Sequence, residues 1–282
     1  MLQNGSAGSG RSVFQDTMAD MTFPEVERAA KAGAIALWAL GVIEQHGPHL
    51  PLATDVYVPS AVLQRARRLL SQRGIESVIV PPFYWGVNHV TGRFTGSFVV
   101  RPAVMIELMK DVFASLKKDG FTSVFCLSGH GDAVHNQTIL QGVRQGSEAA
   151  AIAGRMVVSQ SALDRLGFDP ADPHLAISPG QSPPGGKYID VHAGDWETSL
   201  VWAICPEAVR HDVLPRLAPT NFGPPDLAEW RKGDEHALRA TPLGYLGNPA
   251  AASRERGEAL LEREAEVVAT AIGTALQPSR RP

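Results

Sequence analysis

Acidic and imidazole side chains that can bind metal ions are concentrated in three short segments of the chain. These segments run over residues 44–55, 128–132 and 192–199. Carboxylates and imidazoles together form the ligand sets that Zn²⁺ and Mn²⁺ accept in proteins. The three segments therefore predict a metal centre, provided that the fold brings them together.

The first segment has the most informative spacing. Glu44 and His46 lie two residues apart, so both side chains project to the same side of an extended backbone. Asp55 follows nine residues after His46, across a turn that Pro48 and Pro51 stiffen. A carboxylate, an imidazole and a second carboxylate on stiff backbone predict a site for Zn²⁺ or Mn²⁺.

A Glu-x-His sequence by itself is more typical of a polar loop than of a metal site. The balance changes because His130 and Glu197 also follow the ends of predicted strands elsewhere in the chain. Ligands of open α/β sheets bind outside the carboxyl ends of the strands. The metal interpretation is therefore favoured over the polar loop.

The elements that must position these residues alternate between strands and helices. Apolar runs predict buried strands at residues 34–42, 75–80, 121–127 and 155–159. Amphipathic patterns predict helices that begin at Thr22, with Pro24 in the first turn, at Pro59, and over residues 102–118, 133–150 and 253–276. Strands separated by such helices pair in parallel, so we expect a three-layer α/β/α sandwich with a mostly parallel central sheet.

Three segments lack this alternation. Residues 1–17 are rich in Gly and Ser and predict a disordered tail ahead of a single domain over residues 18–282. Residues 169–187, with five prolines, and residues 215–249 predict long loops. Loops of this length in a compact domain are usually functional lids, oligomer arms or disordered segments.

Composition excludes several classes of protein. The net charge of −3 and the sequence pI of about 6.3 argue against nucleic-acid binding by phosphate neutralisation. The longest apolar run, residues 34–43, is too short to span a membrane. Only two cysteines, Cys126 and Cys205, are present, each in an apolar stretch, so we expect buried free thiols and a cytoplasmic location.

The sequence Glu44-Gln45-His46-Gly47-Pro48-His49-Leu50-Pro51, followed by Thr54-Asp55, resembles the signature of the creatininase (creatinine amidohydrolase) family. The resemblance extends to residues 88–89, 94–97, 128–131 and 192–199. It covers the chain from about Thr22 to about Trp202, together with the final helix. It implies an α/β/α sandwich with two divalent ions per chain, Zn²⁺ or Mn²⁺ or both, in a homohexamer.

The resemblance also implies a distribution of metal ligands. Asp55 would bridge the two ions, with Glu44 and His130 completing one site and His46 with a further carboxylate the other. Asp132 and Glu197 are equal candidates for that carboxylate. Asp132 has an alternative role as the N-cap of the helix that follows it.

The resemblance further assigns catalytic and supporting residues. His192 would transfer a proton to the leaving nitrogen, with Glu197 as a second catalytic candidate; alternatively, His192 only supports the Glu197 loop. His49 would support the metal turn. Two further sets remain candidates: His135 could face the pocket, and His89 and Trp196 could bind substrate.

These expectations together predict a metal-dependent hydrolase that cleaves a C–N bond, an amide or cyclic amide, in a small polar molecule. For creatinine as the substrate, the resemblance implies tryptophans in the segment before His192 that pack against the creatinine ring. Residues 178–188 contain no Trp, which argues against creatinine. Hydrolytic ring opening of a keto-cyclitol or keto-sugar is the alternative within enzymes. A non-catalytic, metal-bound oligomeric binding protein is the alternative outside them.

Overall fold

The computed structural model describes residues 14–178 and 187–277. In this part of the chain a sheet of five strands has the order β2-β1-β3-β4-β5, and every pair of neighbours is parallel. The strands are β1 (Ile35–Leu40), β2 (Ser77–Phe83), β3 (Ser123–Ser128), β4 (Ala153–Ser159) and β5 (Leu175–Ser178).

The helices occupy the two faces and the carboxyl edge of this sheet. They are α1 (Phe23–Lys31), α2 (Thr54–Gln72), α3 (Pro102–Lys118), α4 (Ala133–Ala150), α5 (Leu163–Leu166), α6 (Asp195–Ile204), α7 (Pro224–Trp230), α8 (Asp234–Ala240) and α9 (Arg254–Leu276). None of the helices in the described residues is long and apolar enough to cross a membrane.

Strand β1 shows how the layers form. All of its residues are buried, because helices cover both faces of the sheet. Ile35, Leu37 and Ala39 belong to the core shared with α2, α6 and α9. The even-numbered residues point to the opposite core, which α3 and α4 cover. The predicted three-layer sandwich with a parallel sheet is confirmed.

Helix α2 begins earlier than its sequence indicates. The prediction placed its start at Pro59, whereas the helix runs from Thr54 and includes Pro59. A proline in a helix removes the hydrogen bond to the carbonyl group four residues before it, which here is that of Asp55. The loss falls within the second turn, so the helix persists, and Asp55 lies in its first turn.

Both predicted long loops contain regular structure. Strand β5 lies in the segment predicted as a loop over residues 169–187, and α7 and α8 lie in the segment 215–249. Strand β5 has four residues, too few for a hydrophobic period to become visible. Residues 179–186 lie outside the described part of the chain.

The predicted N-terminal tail lies only partly within the described residues, because residues 1–13 fall outside them. Phe14 to Thr17 form a turn in which the Thr17 hydroxyl donates to the Phe14 carbonyl group at 2.8 Å. Arg67 of α2 donates to the carbonyl oxygen of Asp16 at 3.2 Å. Residues 14–17 are therefore folded against the domain.

The two cysteines differ in burial. Cys126 on β3 is fully buried, and burial raises the pKa of its thiol. Cys205, at the end of α6, is partly exposed. The prediction of a buried thiol is confirmed for Cys126 and wrong for Cys205, which lies where the helix ends at the surface.

Candidate metal centre

The metal-binding candidates meet at the carboxyl edge of the sheet. Glu44 and His46 follow β1, and His130 follows the adjacent strand β3. Asp55 comes from the first turn of α2 and Glu197 from the first turn of α6. Residues far apart in the chain thus converge on one point because parallel strands end at the same edge.

Asp55 stands between imidazoles that reach it from the two strand ends. Its Oδ1 lies 3.3 Å from Nε2 of His46, and its Oδ2 lies 2.8 Å from Nδ1 of His130. The carboxyl group is 98% buried, since its exposed fraction is 2%. Each oxygen of the same carboxylate therefore faces a different imidazole.

The potential ligand atoms fall into overlapping groups in which all atoms lie within 4.8 Å of one another. One group is Glu44, Asp55 and His130, and another is His46, Asp55 and Glu197. These two groups share Asp55. A third group combines Glu44 and His46 with His192.

Several of these atoms lack hydrogen bonds within the described residues. Oε1 of Glu44, Nε2 of His46 and Oδ2 of Asp55 are buried and make no hydrogen bond there, and the polar atoms nearest to them are those of the other imidazoles and carboxylates of the group. Buried polar atoms are normally hydrogen-bonded, and orphaned ones cost free energy. Carboxylate and imidazole atoms left unsatisfied and aimed at a common point fit divalent cations.

Electrostatics at the centre favours added positive charge. Burial lowers the pKa of His46, but the carboxylates of Asp55, Glu197 and Glu44 outweigh burial and raise it to about 10. Burial alone would raise the pKa of Asp55, yet His46 and His130 hold it below its usual range. Burial raises the pKa of Glu197 to about 7. Bound cations would replace the protons that these groups otherwise retain.

Two glycines allow the strand ends to reach Asp55. A Cβ atom on Gly41, after β1, would lie 2.1 Å from the carbonyl oxygen of Asp55, and one on Gly129, after β3, would lie 2.2 Å from it. This carbonyl is the one that Pro59 leaves without its helical hydrogen bond. Both strand ends therefore pack directly on the backbone that carries the central carboxylate.

His192 lies beside the centre and is held by Gln45. Nε2 of His192 is 2.9 Å from the backbone carbonyl oxygen of Gln45. The side-chain Nε2 of Gln45 lies 2.9 Å from the same ring nitrogen. A carbonyl oxygen accepts and an amide nitrogen donates, so both neutral tautomers of the His192 ring have a partner in Gln45. Nδ1 is 3.7 Å from Oε1 of Glu44. Burial lowers the pKa of His192 to about 3, so the ring is neutral at pH 7.

Three residues that sequence reasoning missed support the centre. The Thr91 hydroxyl donates to Oε2 of Glu44, which leaves Oε1 facing the cluster. Gln45 contacts His192 through its backbone and its side chain. The ring of Trp230 lies 5.7 Å from that of His192. Gln45 stood within the recognised motif, whereas nothing in the sequence marked Thr91 or Trp230.

Asp132 does not join the ligand groups. Its Oδ1 accepts from the amide of Val134 at the start of α4, and its Oδ2 accepts from the amides of His89 and Val90 at 2.7 and 3.0 Å. The nearest imidazole atom, Nε2 of His130, lies 3.9 Å from Oδ2. Asp132 thus takes the N-cap role that was its alternative, and Glu197 lies with the cluster.

The two predicted substrate-binding residues differ in their surroundings. The side chain of His89 is exposed. Trp196 packs against the core beneath the sheet, and its indole nitrogen is buried without a hydrogen-bond partner among the described residues.

The two supporting histidines lie behind the ligands. Nε2 of His49 is 2.9 Å from the hydroxyl of Thr198, on α6 beside Glu197. His135 is fully buried with its ring 5.2 Å from that of His130, and its Nδ1 accepts from the amide of Val87. Both side chains thus contact the elements that carry ligands.

The family model described as "Creatininase: Creatinine amidohydrolase" matches residues 19–272. The chain belongs to the creatininase family. It is 26% identical to creatinine amidohydrolase of Pseudomonas putida over 278 residues, which cover 95% of this chain and 99% of that one. It is 30% identical to the mycofactocin precursor peptide peptidase of Mycolicibacterium smegmatis over 232 residues, 79% of this chain and 78% of that one. Hydrolase activity is thus supported for this member of the family.

Solved creatininase structures share the fold. A mutant creatininase of type II superposes with a TM-score of 0.70 at 23% identity, covering 93% of this chain and 99% of that one. A manganese form superposes with a TM-score of 0.68 at 21% identity over 93% and 99% of the two chains.

The close approach of Gly129 to the carbonyl oxygen of Asp55 can be tested by substitution. Gly129→Ala should place a methyl group against the Asp55 carbonyl oxygen and displace α2, with a destabilisation of about 1–3 kcal/mol. Gly131→Ala is the matched control in the same loop, because a Cβ there meets no atom within 4 Å. Urea unfolding of both variants measures the difference. Equal stability of the two variants would contradict the close approach.

Proposed function

We propose that this creatininase-family hydrolase binds two divalent ions at the carboxyl edge of its sheet and hydrolyses an amide or cyclic amide C–N bond in a small polar molecule. The observation that carries the proposal is the position of Asp55. Its two carboxylate oxygens face His46 and His130, so it can be shared between two ions.

The ligand groups divide naturally between the two ions. Glu44 and His130 would complete one site with Asp55, and His46 and Glu197 would complete the other. Carboxylate and imidazole ligands suit Zn²⁺ and Mn²⁺. Two solved creatininases support this choice, the manganese form and a mutant of Zn–Zn type that superposes with a TM-score of 0.65.

The residues around the ions would bind and move protons. Two bound cations would lower the pKa of a shared water from 15.7 towards ~7 and polarise the substrate carbonyl group. His192 is neutral, with its Nδ1 on the side of Glu44. The unprotonated nitrogen of a neutral imidazole can accept a proton and pass it to the leaving nitrogen. Gln45 holds the ring in this orientation through Nε2.

The names of the relatives support an amide as the reacting group. One relative is an amidohydrolase and another a peptidase, and both names denote hydrolysis of C–N bonds. A panel of lactams, formamides, short peptides and creatinine, assayed with and without a chelator, tests the reaction class. Turnover of an amide that stops on chelation and returns with Zn²⁺ or Mn²⁺ is expected. Two bound ions without turnover of any of these would favour a binding protein.

The bridging role of Asp55 can be tested by counting ions. Asp55→Ala should empty both sites, whereas Glu44→Ala should chiefly empty one, because only Asp55 serves both groups. Inductively coupled plasma mass spectrometry of purified variants gives ions per chain. Close to two ions in the Asp55 variant would refute the bridge. Circular dichroism of both variants shows that the loss is not due to unfolding.

The choice between the two candidate carboxylates has its own test. Glu197→Gln should lose about one ion per chain, since amide oxygen is a weaker ligand than carboxylate. Asp132→Asn should keep the full metal content but lower the melting temperature, because Asp132 binds backbone amides. The reverse pattern of metal content would make Asp132 the ligand.

His192 can be separated from the metal ligands by its effect on rate. His192→Ala should keep both ions and lower kcat by about 10²–10⁴-fold, the usual value of positioned acid–base groups. Loss of an ion would instead assign His192 to the third ligand group with Glu44 and His46. An unchanged kcat would remove it from the mechanism.

A further inference from the structure

Arg165 and Arg231 border the loop that carries His130, and they approach it from different elements. Arg165 lies in α5, the short helix beyond the carboxyl end of β4. Its Nη1 donates to the carbonyl oxygen of Gly131 at 2.8 Å. Gly131 is the neighbour of His130, so this guanidinium contacts the loop that carries a candidate metal ligand.

Arg231 belongs to a different element, close enough to Arg165 for its charge to act on that guanidinium. It follows Trp230, whose ring packs on His192, at the end of α7. Two residues later, Gly233 lies so close to His89 that a Cβ would be 2.5 Å from the His89 carbonyl oxygen. The turn that begins with Arg231 therefore packs on the backbone next to the centre.

Asp132 links the His130 loop to residues 89 and 90 through hydrogen bonds. The amides of His89 and Val90 both donate to Oδ2 of Asp132, the residue after Gly131. Arg165 contacts Gly131 beside Asp132, and the turn after Arg231 contacts His89 through Gly233. Both arginines are exposed, so their guanidinium groups are accessible to a dissolved molecule.

Neither guanidinium has a carboxylate within 4.0 Å among residues 14–178 and 187–277. Other cationic side chains do form ion pairs: Lys232 pairs with Glu229 at 2.5 Å, and Arg93 pairs with Glu235 at 2.6 Å. The exposed arginines thus keep most of their donors available.

The two positive charges also act on each other. Although Arg165 is exposed as a residue, the atoms packed around its guanidinium partly desolvate it, and this together with the Arg231 cation lowers the pKa of Arg165; Asp132 acts in the opposite direction. Asp132 already accepts hydrogen bonds from backbone amides on both oxygens. Two adjacent like charges repel, and an anion placed between them would relieve that repulsion.

We propose that Arg165 and Arg231 bind an anionic group of the substrate, a carboxylate or a phosphate, while the amide is held at the metal centre. This inference rests on the proposed function and narrows its substrate to amides that carry negative charge. Planar guanidinium groups bind both anions with two parallel hydrogen bonds, which gives orientation as well as affinity. The pair would orient the scissile bond and select against neutral amides.

Matched probes can test the pair on the metal-loaded protein without turnover. Each probe has a hydroxamate, which binds metal ions, and differs only at the far end of a two-carbon chain. The far group is a carboxylate in succinic monohydroxamate, a phosphonate in 3-phosphonopropionohydroxamate and a neutral carboxamide in succinamide monohydroxamate. Calorimetric titration gives Kd for each. We expect one or both anionic probes to bind about tenfold more tightly than the neutral one.

The identity of the tighter anionic probe distinguishes a carboxylate from a phosphate substituent. The preference for charge should fall as ionic strength rises, because salt screens exposed charges. Equal affinity of all three probes would overturn the inference and leave the metal centre standing. Failure of the neutral probe to bind would count against the metal centre instead, and the anionic probes would still report on the arginines.

Variants assign the preference to the two residues. Arg165→Gln and Arg231→Gln should each remove most of the preference and keep the affinity for the neutral probe and the metal content. Arg68→Gln is a control that makes the same change in net charge on α2, about 20 Å along the helix from Asp55. Arg165→Lys should keep part of the preference. A preference that survives in both glutamine variants would refute the assignment.

Discussion

The structure depends on the burial of three carboxylates, those of Glu44, Asp55 and Glu197, around one point. Buried negative charges of this density are tolerated only when positive charge lies among them. His46 and His130 supply part of it as protonated imidazoles, which is why the pKa of His46 rises to about 10 in spite of burial. Divalent cations would supply the charge with better geometry, since they bind several oxygens at once.

The backbone satisfies this constraint through the parallel sheet. Strands β1 and β3 are neighbours in the centre of the sheet, so the segments that follow them emerge side by side. Helix α2 then brings the Asp55 backbone against both strand ends, where Gly41 and Gly129 leave room for it. The geometry of the candidate ligands is therefore set by the ends of strands and the first turns of helices, an arrangement that would suit ions held at fixed spacing.

The residues around the candidate metal centre that are not ligands come from less regular parts of the chain. Trp230 and Arg231 end the short helix α7, and Arg165 lies in the single turn of α5. These elements surround the centre without contributing ligands to it. Relatives that share the metal chemistry can therefore differ in substrate, because substitutions in the surrounding elements leave the ligands in place.

The sequence by itself determined the fold class, the strands and helices with long hydrophobic periods, and the segments that carry the ligands. Helices α3 and α4 match their predicted bounds because their amphipathic patterns are long and uninterrupted. Tertiary structure alone decided which carboxylate lies with Glu44, His46, Asp55 and His130. The sequence does not distinguish Asp132 from Glu197, whereas in the fold Asp132 accepts hydrogen bonds from the amides of His89 and Val90. It also decided the positions of Trp230 and Arg165, whose proximity to the centre arises from packing between distant segments. Local sequence reports the periodicity of one element, whereas contacts between elements depend on where the whole chain places them.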